Sequence, residues 1–221
     1  MIEIKSYKEP DFNKKEILRY ALCKEETSEI SALLTECIDE ARTVLSYRVC
    51  YERFAINVKN DAVVFPFMAA ESKGLSKNLK GCRSAVVFAA TVGIGLDRLI
   101  AKYARLAPAK ALLLDAIGAE RIESLCNVFN EEIQKKAEME RLFTKPRFSP
   151  GYGDFSLDAQ QDIFRVLDCP RQIGLTLNES LLMSPSKSVT AIIGISNVPA
   201  ECSSGCGVCK KTDCEYRRKS K

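Results

Sequence analysis

"SAVVFAATVG", Ser84 to Gly93, carries no charge, and its only polar side chains are Ser84 and Thr91 near its ends. An apolar run of strand length bounded by Arg83 and a glycine is what a strand buried on both faces looks like, so it is read as the central strand of a sheet. Upstream, "SYRVCYERFAINVK" (Ser46 to Lys59) and "AVVFPF" (Ala62 to Phe67) are rich in Val, Tyr, Phe and Ile with partial alternation, and predict further strands. Downstream, "GIGLDRLIAKYARL" opens a helix after two glycines and stops before Pro108. A long helix then runs from Ala109 to about Met139, with Leu114, Gly118, Ile122, Leu125, Phe129 and Ile133 forming one apolar stripe. Gly118 within that stripe costs about 1 kcal/mol relative to Ala, which predicts a neighbour packed close against it.

The flanks complete the pattern. Lys14 to Leu45 reads as helical, with Ile30, Leu33, Leu34, Cys37, Ile38 and Ala41 on one face. Two prolines and two glycines between Pro146 and Gly153 mark a shaped loop, after which Ser156 is placed as N-cap of a helix from Leu157 to Leu167, with Asp158 in its first turn. Strands follow around Leu175 to Asn178 and Ser188 to Ile195, separated by a turn at Pro185. Helices and strands interleave without a regular repeat. The expected fold is therefore α+β, a single domain with a largely antiparallel mixed sheet flanked by helices. A body of residues 1–198 carries a Cys-rich, basic appendage at 199–221.

The 221-residue chain is 46% hydrophobic and 28% charged, the balance of an ordinary globular protein. No apolar run reaches membrane-span length, and "MIEIKSYKEPDF" is too acidic and broken for a signal peptide, so a cytoplasmic protein is expected. Six of the ten cysteines (Cys23, Cys37, Cys50, Cys82, Cys126 and Cys169) are scattered singly, as reduced core residues are. From Cys202 onward six basic and two acidic residues give +4, the net charge of the whole chain, which leaves residues 1–201 neutral. That balance argues against a broad nucleic-acid-binding face. There is no histidine, which excludes Ser–His and Cys–His nucleophile systems and HExxH zinc hydrolases.

Four places carry chemistry. "GIG" at Gly93 to Gly95 is neither GxGxxG nor a Walker loop and reads as a strand-to-helix turn. "RFSPGYGDF", Arg147 to Phe155, combines exposed backbone of a Gly/Pro loop with an Arg suited to a carboxylate and the ring of Tyr152. It reads equally as a connector whose aromatic residues cap the core. Glu120 and Glu123, on the long helix beside the stripe, read as solvated face residues, with Glu123 about one turn from Gly118. The tail, Cys202, Cys206, Cys209 and Cys214, has C-x3-C-x2-C-x4-C spacing, suited to a tetrahedral zinc site, an iron–sulfur cluster or a redox-responsive set of thiols. Its first three cysteines match the spacing of radical S-adenosylmethionine enzymes, but Cys214 can fill the open iron position and no barrel follows.

At "SPGYGDFSLDAQQDIFRVLD" and "IGLTLNESLLMSPSKSVTAIIGIS", and more weakly at "LLDAIGAERIESLC", the chain resembles the reactivation domain of cobalamin-dependent methionine synthase, in the form that occurs as a separate activation subunit. The resemblance implies binding of S-adenosylmethionine and docking over the corrinoid of a methionine synthase lacking its own reactivation domain. One-electron reduction, with flavodoxin or ferredoxin as donor, and methyl transfer would then regenerate methylcobalamin. By residue, it implies that Arg147 binds the methionine carboxylate, that Ser149, Pro150 and Gly151 hold the adenosyl and methionine parts, and that Tyr152 lies near the corrinoid. Glu123 falls on a family glutamate near the site, and with Tyr152 is the candidate catalytic residue. Two other readings stand beside this one. In the first, the body is a non-catalytic binding or redox-adaptor module for a corrinoid protein, with the tail as metal site or docking element. In the second, the tail is a zinc knuckle that binds nucleic acid.

Overall fold

The computed structural model describes residues 1–198. The chain opens with strand β1 (Glu3–Tyr7) and helices α1 (Lys14–Tyr20) and α2 (Ser28–Arg42). Strands β2 (Tyr47–Ala55), β3 (Asn57–Val58), β4 (Ala62–Val64) and β5 (Ala69–Glu71) lead to helix α3 (Lys73–Asn78) and strand β6 (Cys82–Thr91). Helices α4 (Ile94–Leu106) and α5 (Pro108–Met139), strand β7 (Phe143–Thr144), and helices α6 (Ala159–Leu167) and α7 (Cys169–Ile173) follow. Strands β8 (Thr176–Leu177), β9 (Met183–Ser184) and β10 (Ser188–Ser196) close the described chain.

β6 is the middle strand of a five-stranded sheet of order β1-β2-β6-β10-β7, in which every pairing is antiparallel. The expected α+β architecture is therefore present, with no parallel pair among the described strands to make the sheet mixed. Because successive side chains of a strand point to opposite faces, β6 feeds two cores. Val86, Phe88 and Ala90 enter the core beneath α1, α2, α4 and α5. Ala85, Val87 and Ala89 enter the other, closed by α6, α7 and residues of the small β3-β4-β5 sheet. Phe129 on α5 is clasped between Phe88 and Tyr51, with ring centroids 4.7 and 5.0 Å away.

α5 begins with Pro108 in its first turn, where a missing N–H costs nothing, and keeps the predicted stripe buried. A Cβ on Gly118 would stand 2.7 Å from both Leu96 Cδ2 and Lys187 Cγ, so the close neighbours are α4 and the turn before β10.

Three local readings change. The single helix expected over Lys14 to Leu45 is two: Leu22 takes a left-handed φ of 55° after α1, and Thr27 caps α2 by accepting from the Ile30 N–H at 3.3 Å. α6 starts at Ala159, because the Ser156 hydroxyl accepts from the Asp158 N–H (3.2 Å) and organises a preceding turn instead of capping the helix. The segment around Leu175 to Asn178 joins no main sheet; β8 pairs with β9 in a hairpin of its own.

Candidate functional site

Residues 145 to 148 run alongside β10. The Lys145 N–H donates to the Gly194 carbonyl at 2.8 Å, and Phe148 exchanges both backbone hydrogen bonds with Ile192 at 2.9 Å. This pairing fixes Arg147 against α5 and lifts the following loop off the sheet. There the chain turns on Gly151 (φ 85°) and Gly153 (φ 58°), backbone conformations that side-chain-bearing residues adopt only under strain. Gly151 N–H donates to the Phe155 carbonyl (2.8 Å) and Tyr152 N–H to that of Ser149 (3.1 Å). Among the described residues, the Ser149 N–H and the Gly151 carbonyl have no backbone partner, which leaves them for a ligand edge. Pro150 is buried, while Tyr152 is 70% exposed with its ring edge-on to Phe148.

The structure brings Arg147 and Glu123 together: Arg147 Nη2 donates to Glu123 Oε2 at 2.5 Å. Arg147 Nη1 donates to Asn127 Oδ1 at 2.9 Å, and with its amide turned to donate to the Cys126 carbonyl, Asn130 accepts from the same Nη1 at 2.8 Å. The Arg147 and Glu123 side chains remain 22% and 38% exposed, so the pair sits at a surface open to solvent. Tyr20 at the end of α1 is close by; burial raises its phenol pKa, and the nearby Glu123 carboxylate raises it further.

Sequence reasoning passed over Asn127 and Asn130, although with Glu123 they lie at i, i+4 and i+7 on one face of α5, a spacing that could have flagged them. It also passed over Asp154. That carboxylate accepts from the Ser72 hydroxyl (2.5 Å) and from the N–H groups of Lys73 (2.8 Å) and Gly74 (3.1 Å), which ties the loop to the start of α3. The bond to Ser72 leads the contacts that hold its pKa below the usual carboxylate value. Glu120 needs correcting. It is 2% exposed and bound to the fully buried Arg121, which places it in a structural network and not on a solvated face.

The "GIG" turn is structural. Gly93 adopts φ 88° ahead of α4, and a Cβ on Gly95 would lie 2.5 Å from the Val44 carbonyl. Cys202, Cys206, Cys209 and Cys214 lie outside the described residues; among those described, no group of three or more Cys, Asp or Glu side chains is arranged to hold a metal. No described helix is long and apolar enough to cross a membrane.

A family sequence model described as "Vitamin B12 dependent methionine synthase, activation domain" matches residues 67–220, and so contains both the Arg147–Tyr152 loop and α5. Among solved structures, one titled "Crystal Structure of the MetH Reactivation Domain bound to AdoHcy" matches with a TM-score of 0.64 at 15% identity, over 88% of this chain and 78% of that one. At that identity the likeness is one of fold. No curated protein matches the chain. The family match extends over well more than half of the sequence, and the protein belongs to the family of vitamin B12-dependent methionine synthase activation domains.

Proposed function

We propose that the protein binds S-adenosylmethionine between the Arg147–Gly153 loop and α5 and presents its methyl group to the reduced corrinoid of a cobalamin-carrying methionine synthase that lacks its own reactivation domain. The observation that carries the reading is the Arg147 guanidinium. Anchored by Asn127 and Asn130, it stays partly exposed beside a glycine loop with unpaired backbone groups. A fork of N–H donors fixed in this way suits a carboxylate, and the loop backbone suits an adenine edge. The solved structure of similar fold, titled as bound to AdoHcy, supports a ligand of that class.

When bound, S-adenosylmethionine supplies a methyl group on a sulfonium. That methyl would pass to cobalt already reduced by one electron from flavodoxin or ferredoxin, and S-adenosylhomocysteine would be left behind. No proton moves, so the absence of histidine costs the chemistry nothing. The chain's share is positioning: Arg147 holds the carboxylate end, Ser149, Pro150 and Gly151 the rest of the ligand, and the exposed Tyr152 ring faces the corrinoid side. We assign Cys202, Cys206, Cys209 and Cys214 to a zinc or iron–sulfur centre on their spacing.

Calorimetry with S-adenosylmethionine tests the site. The wild-type protein, alone or in complex with its corrinoid partner, is expected to bind, and Arg147→Ala to weaken binding about tenfold or more, the usual cost of a charge-assisted contact. Absence of binding in both settings would sink the cofactor assignment.

A further inference from the structure

The exposed faces of α2 and α4 repeat one spacing with opposite charge. α2 turns Glu29, Ala32 and Glu36 to solvent at i, i+3 and i+7, with Asp39 continuing the row; α4 turns out Arg98, Ala101 and Arg105 at the same steps, with Lys102 beside them. We infer that this face is an interface between two copies of the chain, in which α4 of each copy lies along α2 of the other about a two-fold axis.

Both helices lie in the layer that covers one side of the main sheet, where Leu34, Cys37 and Ile38 of α2 and Leu96 of α4 enter the same core. Lys110, in the first turn of α5, joins them: its ammonium reaches Glu36 at 2.5 Å and Glu40 at 3.2 Å, and lies 5.0 Å from the centroid of the Tyr103 ring on α4. The acidic and basic rows therefore flank the corner between α4 and α5, and at that corner Leu106 is 76% exposed and Leu112 54%. Little of the charge on α4 is neutralised from within. Asp97, its one acidic residue, accepts from the Ser186 N–H and hydroxyl at 2.7 Å, and among the described residues Arg98 and Arg105 form no ion pair. On α2 the one basic residue, Arg42, bonds Asp39 at 3.2 Å and Glu9 at 3.1 Å, and Glu29 has no ion pair among the described residues.

The order of charges selects the partner. An acidic protein, a nucleic acid or an anionic membrane drawn to α4 would meet the carboxylates of α2 on the same face, and a basic partner drawn to α2 would meet the cations of α4. A second copy turned about a two-fold axis presents the reverse order by construction, which is what an isologous contact requires. Exposed ion pairs contribute little affinity one by one, so the two leucines supply the apolar centre and the charges set the register. The ligand loop stays outside this contact, since Glu123, which Arg147 meets, stands about three turns beyond Leu112 on α5.

Sedimentation velocity on the full chain, with a reductant present so that no disulfide links the copies, reads the assembly. Wild type is expected to pass from monomer to dimer as its concentration rises over about a hundredfold range. Two variants, Arg98→Glu/Arg105→Glu and Glu29→Lys/Asp39→Lys, each bring like charges together at both contacts. Each is expected to weaken the dimer about tenfold or more, with circular dichroism confirming that it folds. Mixed in equal amounts, the two are expected to form a dimer again, because one contact then joins the two reversed rows and the other the two native ones. Leu106→Ser, which changes no charge, is expected to weaken the wild-type dimer about tenfold. Wild type that stays monomeric throughout, or a dimer that both charge variants leave intact, overturns the inference. Two monomeric variants that do not associate on mixing overturn the pairing of α4 with α2.

Discussion

Arg121 is fully buried yet keeps its charge, because every side of its guanidinium meets an acceptor. Nε and Nη2 donate to Glu120 at 2.5 and 2.7 Å, Nη1 to the Pro10 carbonyl at 2.5 Å, and Nη2 also to the Asp11 carbonyl at 2.7 Å. Its face lies 3.8 Å from the centroid of the Phe12 ring. Burial by itself would lower the Arg121 pKa, but the hydrogen bonds to Glu120 outweigh it and the net shift is upward. The network ties the segment before α1 to the middle of α5. Removing one partner would leave the other as an uncompensated buried charge, which typically costs about 3–5 kcal/mol. Arg121→Met is therefore expected to destabilise by about that amount in urea unfolding, and the double variant Arg121→Met/Glu120→Gln to regain part of it. A single variant within about 1 kcal/mol of wild type, the range of a surface pair, would show that the network carries little. Since the Arg121 hydrogen bonds go to Glu120, Pro10, Asp11 and Ser124 and not to the Arg147 loop, S-adenosylmethionine affinity measured on the folded fraction is expected to stay unchanged.

α5 shows what an element transmits from core to site. One face buries the stripe that holds the sheet, and the neighbouring face presents Glu123, Asn127 and Asn130 to Arg147. Its position depends on the missing side chain at Gly118, since Leu96 is fully buried and cannot move aside. Gly118→Val would insert two branches into that contact. Overpacking costs about 1–3 kcal/mol, while leaving glycine in a helix returns less than 1 kcal/mol, so a net loss of about 1–2 kcal/mol is expected. For a chain of this size that is a fall in Tm of about 2–8 °C, readable by circular dichroism. An unchanged or raised Tm would mean that α4 yields. β6 and α5 were legible from sequence because their signals are local: an uninterrupted apolar run, and a stripe repeating along one chain segment. The burial of Glu120 was not legible, since the carbonyls that satisfy its partner come from Pro10 and Asp11, more than a hundred residues away. Asp154 was hidden for the same reason, its partners Ser72, Lys73 and Gly74 lying some eighty residues upstream. Arg147 was legible by residue type and resemblance, but its pairing with Glu123 required the fold.

At the scale of the molecule, both cores close within residues 1–198, and β10 is paired with β6 from Ser188 to Ser196, before the tail begins. A chain ending at Val198 is therefore expected to fold, to unfold within a few degrees of the full chain, and to keep its affinity for S-adenosylmethionine. The cysteines give the means to separate body from tail. Cys50 and Cys169 are fully buried, and burial pushes the thiols of Cys37 and Cys82 up to about 11 and that of Cys126 to about 12, so all five are shielded from a reagent and these last three stay protonated at neutral pH as well. Cys23 is half-buried. In anaerobically purified full chain, a thiol reagent is expected to label Cys23 alone if Cys202, Cys206, Cys209 and Cys214 hold metal, and all five after chelation. The chain ending at Val198 should show one reactive thiol under both conditions and contain no metal. Brown colour with labile sulfide would identify an iron–sulfur cluster and make the tail a candidate entry point for the electron; colourless protein with one zinc would make it a clip. If chelation leaves labelling of the full chain unchanged and metal analysis finds none, the four thiols are not a metal site. If truncation instead abolishes folding, the tail belongs to the body it was taken to adjoin.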